Sequence, residues 1–347
     1  MDSIKQDIKS MYLEELESKL TEDGYEKYRA AQIYKWLKKG VKNFSYMHNI
    51  SKKLSAYLDN NYYISVLNIE KKLKSEYDDT VKYLFRLYDD KYVEAVVMKY
   101  KHGYSMCIST QVGCKMNCSF CATGKQGFGR NLTAGEMLTQ IQVAQNDLEI
   151  RISNVVLMGM GEPLDNYDNV VRFLKLASSE YALGIGMRHI SLSTCGLSDK
   201  IYSLADLKLQ LTLSVSLHAP NDKIRNEIMP INKKYNVSSL IKACKYYIKK
   251  TNRRISFEYT MIEGVNDTVS CAKELSRLLS GMICHVNLIP VNQIKDTEYI
   301  RSSNKKIQQF IDELAKHNIV ATKRRTLGSD IDASCGQLRQ KFYEEKK

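Results

Sequence analysis

Gly113-Cys114-Lys115-Met116-Asn117-Cys118-Ser119-Phe120-Cys121-Ala122-Thr123-Gly124 is the stretch whose reading decides the fold. Three cysteines fall within eight residues as C-x3-C-x2-C, between glycines and beside a turn-forming Asn. Thiolates are natural ligands of soft metals and iron–sulfur clusters. A [4Fe–4S] cube held by three cysteines keeps one iron open to an outside ligand, a position that S-adenosylmethionine (SAM) can fill through its amino and carboxylate groups. The other reading of the loop is a zinc knuckle. Structural zinc takes four ligands, commonly in C-x2-C pairs, and no His or fourth Cys follows within a dozen residues.

Outward from this loop the chain alternates. Ser105 to Ser109 reads as a strand running into the cysteines, and Thr133-Ala134-Gly135-Glu136 is a capping box that opens a helix. Strand-like apolar runs recur at 153–158, 188–193, 209–217, 255–262 and 283–289. Helical stretches separate them near 168–178, 236–250, 268–280 and 304–317. Six β/α units in series predict the α/β class, as a partial (β/α)6 barrel with outer helices. Chemistry in such barrels gathers at the C-terminal ends of the strands.

Short motifs fall at those ends. Met158-Gly159-Met160-Gly161-Glu162-Pro163-Leu164 has glycines that let backbone approach a ligand, and Glu162 could receive an ammonium group. Ser191-Leu192-Ser193-Thr194, Ser216-Leu217-His218-Ala219-Pro220 and Asn287-Leu288-Ile289-Pro290-Val291-Asn292 supply the hydroxyls and amides that a ribose and an adenine need. Each alone is what caps an ordinary turn; together, after a three-cysteine loop, they describe a nucleoside site. Near the C-terminus Cys335 stands beside Gly336, and Cys107 lies seven residues before Cys114. Read singly, both are buried structural cysteines.

Residues 1–60 read as a helical accessory domain, with Ile33, Trp36 and Leu37 on one face of a helix that Gly40 ends. Lys35, Lys38, Lys39, Lys42, Lys52 and Lys53 crowd its other faces, either an ordinary solvated surface or an RNA contact. Val81–Tyr88 and Tyr92–Met98 around Asp89-Asp90-Lys91 predict a β-hairpin extension within 61–100, with Glu94 solvent-facing. The barrel then takes 101–325, and a C-terminal loop and tail takes 326–347.

The formal charge is +13, which attracts polyanions, nucleic acid first. No stretch has the length of a membrane span, and the start lacks the apolar core of a signal peptide. Nine cysteines without an export signal point to a reducing cytoplasm.

The C-x3-C-x2-C loop is the signature of the radical-SAM superfamily. The whole pattern resembles the RlmN/Cfr family of radical-SAM RNA methyltransferases. The resemblance runs through Arg29-Ala30-Ala31-Gln32-Ile33-Tyr34-Lys35-Trp36, Cys107-Ile108-Ser109-Thr110-Gln111-Val112-Gly113-Cys114 and Cys121-Ala122-Thr123-Gly124. It continues through Arg130-Asn131-Leu132-Thr133, Gly161-Glu162-Pro163-Leu164, Ser216-Leu217-His218-Ala219-Pro220 and the Cys335 motif.

The resemblance implies one [4Fe–4S] cluster on Cys114, Cys118 and Cys121, and two SAM molecules per turnover. It implies SAM contacts at Gly161, Glu162, Ser193, Ser216, Leu217, His218 and Asn292. Cys335 takes a methyl group from one SAM; the second gives the adenosyl radical that draws a hydrogen from it, and the methylene adds to an adenine carbon. Cys107 resolves the protein–RNA crosslink through a transient disulfide with Cys335, and Glu94 is the proton acceptor. The implied partners are 23S rRNA, tRNA and a reductant such as flavodoxin or ferredoxin, with the chain a cytoplasmic monomer. RlmN-type members methylate C2 of adenosine 2503 in 23S rRNA and of adenosine 37 in tRNA; Cfr-type members methylate C8 of the same rRNA adenosine and confer antibiotic resistance. Pro163 leans to the first, while Gln293 and Cys195 depart from the usual pattern. The remaining class is a non-catalytic zinc-dependent RNA-binding protein, which leaves Glu94, Cys107 and Cys335 without roles.

Overall fold

The computed structural model describes residues 5–292, 298–331 and 337–345. The N-terminal module is helical. Strand β1 (Gln6–Asp7) pairs in parallel with β2 (Tyr62–Tyr63), and α1 (Leu13–Glu22), α2 (Tyr28–Lys38) and α3 (Lys52–Asn61) lie between them. Its core is its own: Leu16, Leu20, Ile33, Leu37, Leu54 and Leu58 are buried together. The predicted face of α2 is there, with Gly40 at positive φ just beyond its end.

The rest hangs on one sheet. Strands β3 (Asn68–Lys74), β4 (Val81–Arg86) and β5 (Tyr92–Tyr100) form an antiparallel meander, and β5 pairs antiparallel with β6 (Gly103–Cys107). The hairpin and the barrel strands share one sheet. The hairpin continues the barrel sheet, because Val93, Ala95 and Val97 turn one face into the main core.

After β6 the cysteine loop is bracketed by a small antiparallel pair, β7 (Gln111–Gly113) and β8 (Phe128–Asn131), with the short helix α4 (Ala122–Lys125) between. Helix α5 (Ala134–Leu148) follows. Thr133 Oγ1 accepts the Glu136 N–H, and the Glu136 carboxylate accepts the Thr133 N–H, as the capping box predicts.

The parallel part then runs β9 (Ile152–Leu157), α6 (Tyr167–Ser178), β10 (Ile190–Thr194), α7 (Ser198–Asp206), β11 (Thr212–Ser216), α8 (Asp222–Ile228), α9 (Val237–Thr251), β12 (Ile255–Met261), α10 (Val269–Leu279), β13 (Cys284–Pro290), α11 (Asn304–Lys316) and β14 (Ala321–Lys323). Sheet order is β14-β13-β12-β11-β10-β9-β6-β5-β4-β3, parallel from β14 to β6. The expected six β/α units are present, and β14 adds a seventh parallel strand too short for apolar patterning to reveal.

Alternation along the strands explains the architecture. Leu192, Leu213, Val215, Phe257 and Leu288 face the helices and are buried in one continuous core. Ser105, Asn154, Ser191 and Asn287, at the alternate positions, line a cleft of about 550 Å³ inside the open barrel. The polar residues that break each apolar run are thus the barrel's lining. Helix α12 (Gln337–Glu345), expected as tail, packs Leu338 and Phe342 on Leu84 and Tyr92 of the meander.

Candidate active site at the strand ends

The cysteine loop is tight because its backbone leaves no choice. Gly113 has φ +82°, and a Cβ there would stand 1.9 Å from the Gly127 carbonyl oxygen. Asn117 is also left-handed, which Asn tolerates. The Cys114 N–H donates to Gly127 O and the Cys121 N–H to Cys118 O, so the loop closes on itself. Its far side is clasped by α8, where the Ser119 N–H donates to Ile228 O at 3.0 Å.

Cys114, Cys118 and Cys121 are all half-buried. Burial pushes the Cys114 thiol up to about 12, and Cys118 well above its ordinary value, with the neighbouring thiols adding to the rise. Three such thiolates form together only around a compensating cation, which is what a cluster supplies. Among the described residues no three acidic, His or Cys side chains converge on one point, as a single ion requires. A cube offers each cysteine its own iron, so its ligands stand apart; the donor set fits it.

Glu162 sits beside the loop at the end of β9, 3% exposed. One carboxylate oxygen accepts the Leu164 N–H (3.0 Å) and the other the Cys195 N–H (2.7 Å). Burial raises its pKa, against those hydrogen bonds. The glycines before it also answer a steric need of the backbone. A Cβ at Gly159 would lie 2.5 Å from Ile108 O, and one at Gly161 (φ +105°) would lie 2.6 Å from the Gln111 side chain. They let the β9 end cross the β6 end.

Ser193 and Ser216 are half-buried at the next two strand ends, and Leu217 is fully buried. His218 follows at φ +56°, uncommon for a side chain this size. Its Nδ1 accepts the Thr260 N–H at 2.9 Å, which leaves the ring proton on Nε2. Burial, then the Arg225 charge, pull its pKa down to about 3, so the ring is neutral. It packs edge-on against Phe120 of the cysteine loop, centroids 4.8 Å apart.

Cys107, at the end of β6, is 5% exposed and lies opposite Val96 of β5. It lines a cavity of about 180 Å³ together with Met158, Pro290, Asn292 and Arg324. Asn292 is exposed there. Cys335 and Gln293 lie outside the described residues. On either side of Cys335 the chain is anchored. Asp330 accepts from Ser75 Oγ and the Glu76 N–H, both at 2.7 Å, and the Arg339 N–H donates to Glu94 Oε1 at 2.6 Å.

Glu94 is not the solvent-facing residue its sequence context suggests. It is 2% exposed, and its other oxygen meets Lys82 Nζ at 3.0 Å, with Lys82 itself fully buried. The two meet diagonally across adjacent strands, two residues from direct register and so on the same face. Of the remaining cysteines, Cys195, Cys244 and Cys271 are buried as expected, while Cys284 is only half-buried.

Sequence reasoning missed three buried charges at the site. They are Lys82, Glu258, which accepts from Asn287 Nδ2 (2.7 Å), and Arg225, which is 0% exposed. A charged residue in an apolar stretch was the available signal.

This loop and shelf match known proteins over the whole chain. The Radical SAM superfamily matches residues 108–269, and the ribosomal RNA large subunit methyltransferase N-terminal domain matches residues 6–64. A probable dual-specificity RNA methyltransferase RlmN of Clostridium novyi is 53% identical over 336 residues, covering 96% of this chain and 98% of the relative. One from Alkaliphilus oremlandii is 53% identical over 340 residues, covering 98% and 99%. This chain belongs to the RlmN family of radical-SAM RNA methyltransferases. A radical SAM methyltransferase from Sphaerobacter thermophilus has the same fold, with TM-score 0.90 at 40% identity, over 96% of this chain and 98% of that one. RlmN enzymes use a [4Fe–4S] cluster and two SAM molecules per turnover, and the half-buried thiols of the cysteine loop fit the cluster.

Proposed function

We propose that the chain methylates C2 of adenosine 2503 in 23S rRNA and of adenosine 37 in tRNA. The observation that carries the reading is the cavity at the strand ends that Cys107 lines together with Asn292 and Arg324. An aromatic C–H is too weakly acidic for base-assisted methyl transfer. Cluster and SAM, when bound, supply hydrogen-atom abstraction, which no side chain can do.

In this reading Cys114, Cys118 and Cys121 ligate the cluster, and Gly161, Glu162, Ser193, Ser216, Leu217, His218 and Asn292 hold SAM. The Glu162 oxygens keep lone pairs for an ammonium beyond the two N–H groups they already accept. Cys335 carries the methyl as a thioether, since a thiolate is a strong nucleophile for a sulfonium methyl. Cys107 releases the product by forming a disulfide with Cys335. Glu94 takes the proton from the adenine carbon.

The division into 1–60, 61–100, 101–325 and 326–347 belongs to the same reading, with residues 1–60 touching RNA. Its support is the cation–aromatic surface of α2, where Arg29 lies over Tyr28 and Lys39 over Trp36. Among the described residues no helix is long and apolar enough to cross a membrane. We take the enzyme as a cytoplasmic monomer reduced by a flavodoxin or ferredoxin.

The test is nucleoside mass spectrometry on a 23S rRNA fragment and a tRNA, after anaerobic incubation with reconstituted enzyme, SAM and reductant. 2-Methyladenosine is expected in both. 8-Methyladenosine would overturn the regiochemistry, and unmodified adenine in the presence of an intact cluster would overturn the substrate. Cys107→Ala should accumulate RNA covalently bound to protein, visible as a shifted band in a denaturing gel.

A further inference from the structure

Arg225 is the largest fully buried side chain in the described structure, and its hydrogen-bond acceptors are all neutral. Nε donates to Leu217 O (3.1 Å). Nη1 donates to Asn232 Oδ1 (2.8 Å) and Tyr235 O (3.3 Å), and Nη2 to Cys195 O (2.6 Å) and Ser216 O (3.2 Å). Among the described residues it forms no ion pair, and a buried guanidinium without a counter-charge is costly. Its acceptors identify what it serves. Ser216 and Leu217 form the β11 shelf, while Cys195 is gripped from both sides, its N–H by Glu162 and its carbonyl by Arg225. One turn further along α8, Ile228 O holds the N–H of Ser119, next to Cys118.

We propose that Arg225 is a positioning residue of the radical site. Its guanidinium ties the β10 and β11 ends to α8, the helix that holds the cysteine loop, and supplies the buried positive charge that raises the cluster's reduction potential. The proposal rests on Cys114, Cys118 and Cys121 holding that cluster. Reduction adds one negative charge to a cluster already bound by thiolates, and a fixed cation in a low-dielectric surround favours the reduced state. Arg225 stands one turn before Ile228 on α8, and Ile228 O holds the Ser119 N–H beside Cys118, so the charge and the loop meet on one short helix. Asp222 is the carboxylate that tempers this charge, one amide removed: Asn232 Nδ2 donates to Asp222 Oδ1 at 2.9 Å.

The experiment is an anaerobic redox titration of the reconstituted protein, followed by electron paramagnetic resonance. Arg225→Gln keeps a donor but no charge, and its midpoint potential should move negative. Arg225→Lys keeps the charge with fewer donors and should recover most of that shift. A merely structural role displaces both alike. That result, or a Gln variant at the wild-type potential, overturns the proposal. Should the Gln variant fail to fold, Asp222→Asn, which leaves the guanidinium in place, must move the potential positive; no movement is equally fatal. An iron-free wild type would overturn the cluster assignment and this proposal with it.

Discussion

At the scale of single residues, the site depends on charges kept out of water. The Lys82–Glu94 pair is fully enclosed, and removing one member leaves the other charge buried and alone. Lys82→Met should therefore lower stability by about 3–5 kcal/mol. Lys82→Met with Glu94→Gln should recover most of it. Urea unfolding of the two variants checks this, and equal losses would refute the pairing argument. His218 makes a pH prediction. Its folded pKa, about 3, lies below the ordinary 6.5, so the unfolded chain binds a proton that the folded chain refuses. Stability from this residue is full above 6.5 and falls as pH drops from 6.5 towards 3. Between pH 6.5 and 5 the loss should be about 1.5 kcal/mol. His218→Gln, which retains an acceptor for the Thr260 N–H, should lose that much less over the same interval.

At the scale of elements, α12 anchors the chain just after Cys335. Leu338 and Phe342 are buried against Leu84 and Tyr92, and the Arg339 N–H ends on Glu94. Phe342→Ala should cost about 3 kcal/mol, at the low end for a buried Phe because the cluster is small. Hydrogen exchange should rise across 337–345 while the parallel strands stay protected, and methylation of Cys335 should fail with the cluster intact. Rising exchange in the strands as well would mean that α12 is part of the barrel's own stability.

This element also shows what the sequence makes legible. The cysteine loop, the capping box at Thr133 and the alternation of strands and helices are local patterns, and all were readable. Lys82 against Glu94, Glu94 against Arg339, and Arg225 against three strand-end carbonyls are long-range meetings. A charge inside an apolar run hints at burial within a short window, but nothing there names its partner, so Glu94 reads as surface and α12 as tail. The glycines at 159 and 161 read as room for a ligand; that a Cβ also has no room where two strand ends cross is a long-range fact no short window shows.

At the scale of the whole molecule, the N-terminal module is fastened to the barrel by polar contacts. Asp7 accepts the hydroxyls of Ser10, Ser65 and Thr133 at the N-terminus of α5, where the helix dipole favours its charge. Arg172 of α6 meets Glu15 at 2.6 Å. The two cation-rich surfaces, α2 and the barrel cleft with Arg188, Lys323, Arg324 and Arg325, are thereby held in one body. Among the described residues no acidic side chain lines that cleft. With a net charge of +13, RNA affinity should then depend steeply on salt. If about six to ten phosphates are neutralised, affinity falls by roughly 10³- to 10⁵-fold between 50 and 200 mM salt. In the proposed scheme Cys335 takes its methyl from SAM before RNA is engaged, so that step should barely change over that range. Measuring both in one salt series separates the electrostatic footprint from the chemistry. Arg325→Glu should flatten the RNA slope while leaving the Cys335 methylation rate alone, and an unchanged slope would move the RNA path away from the cleft.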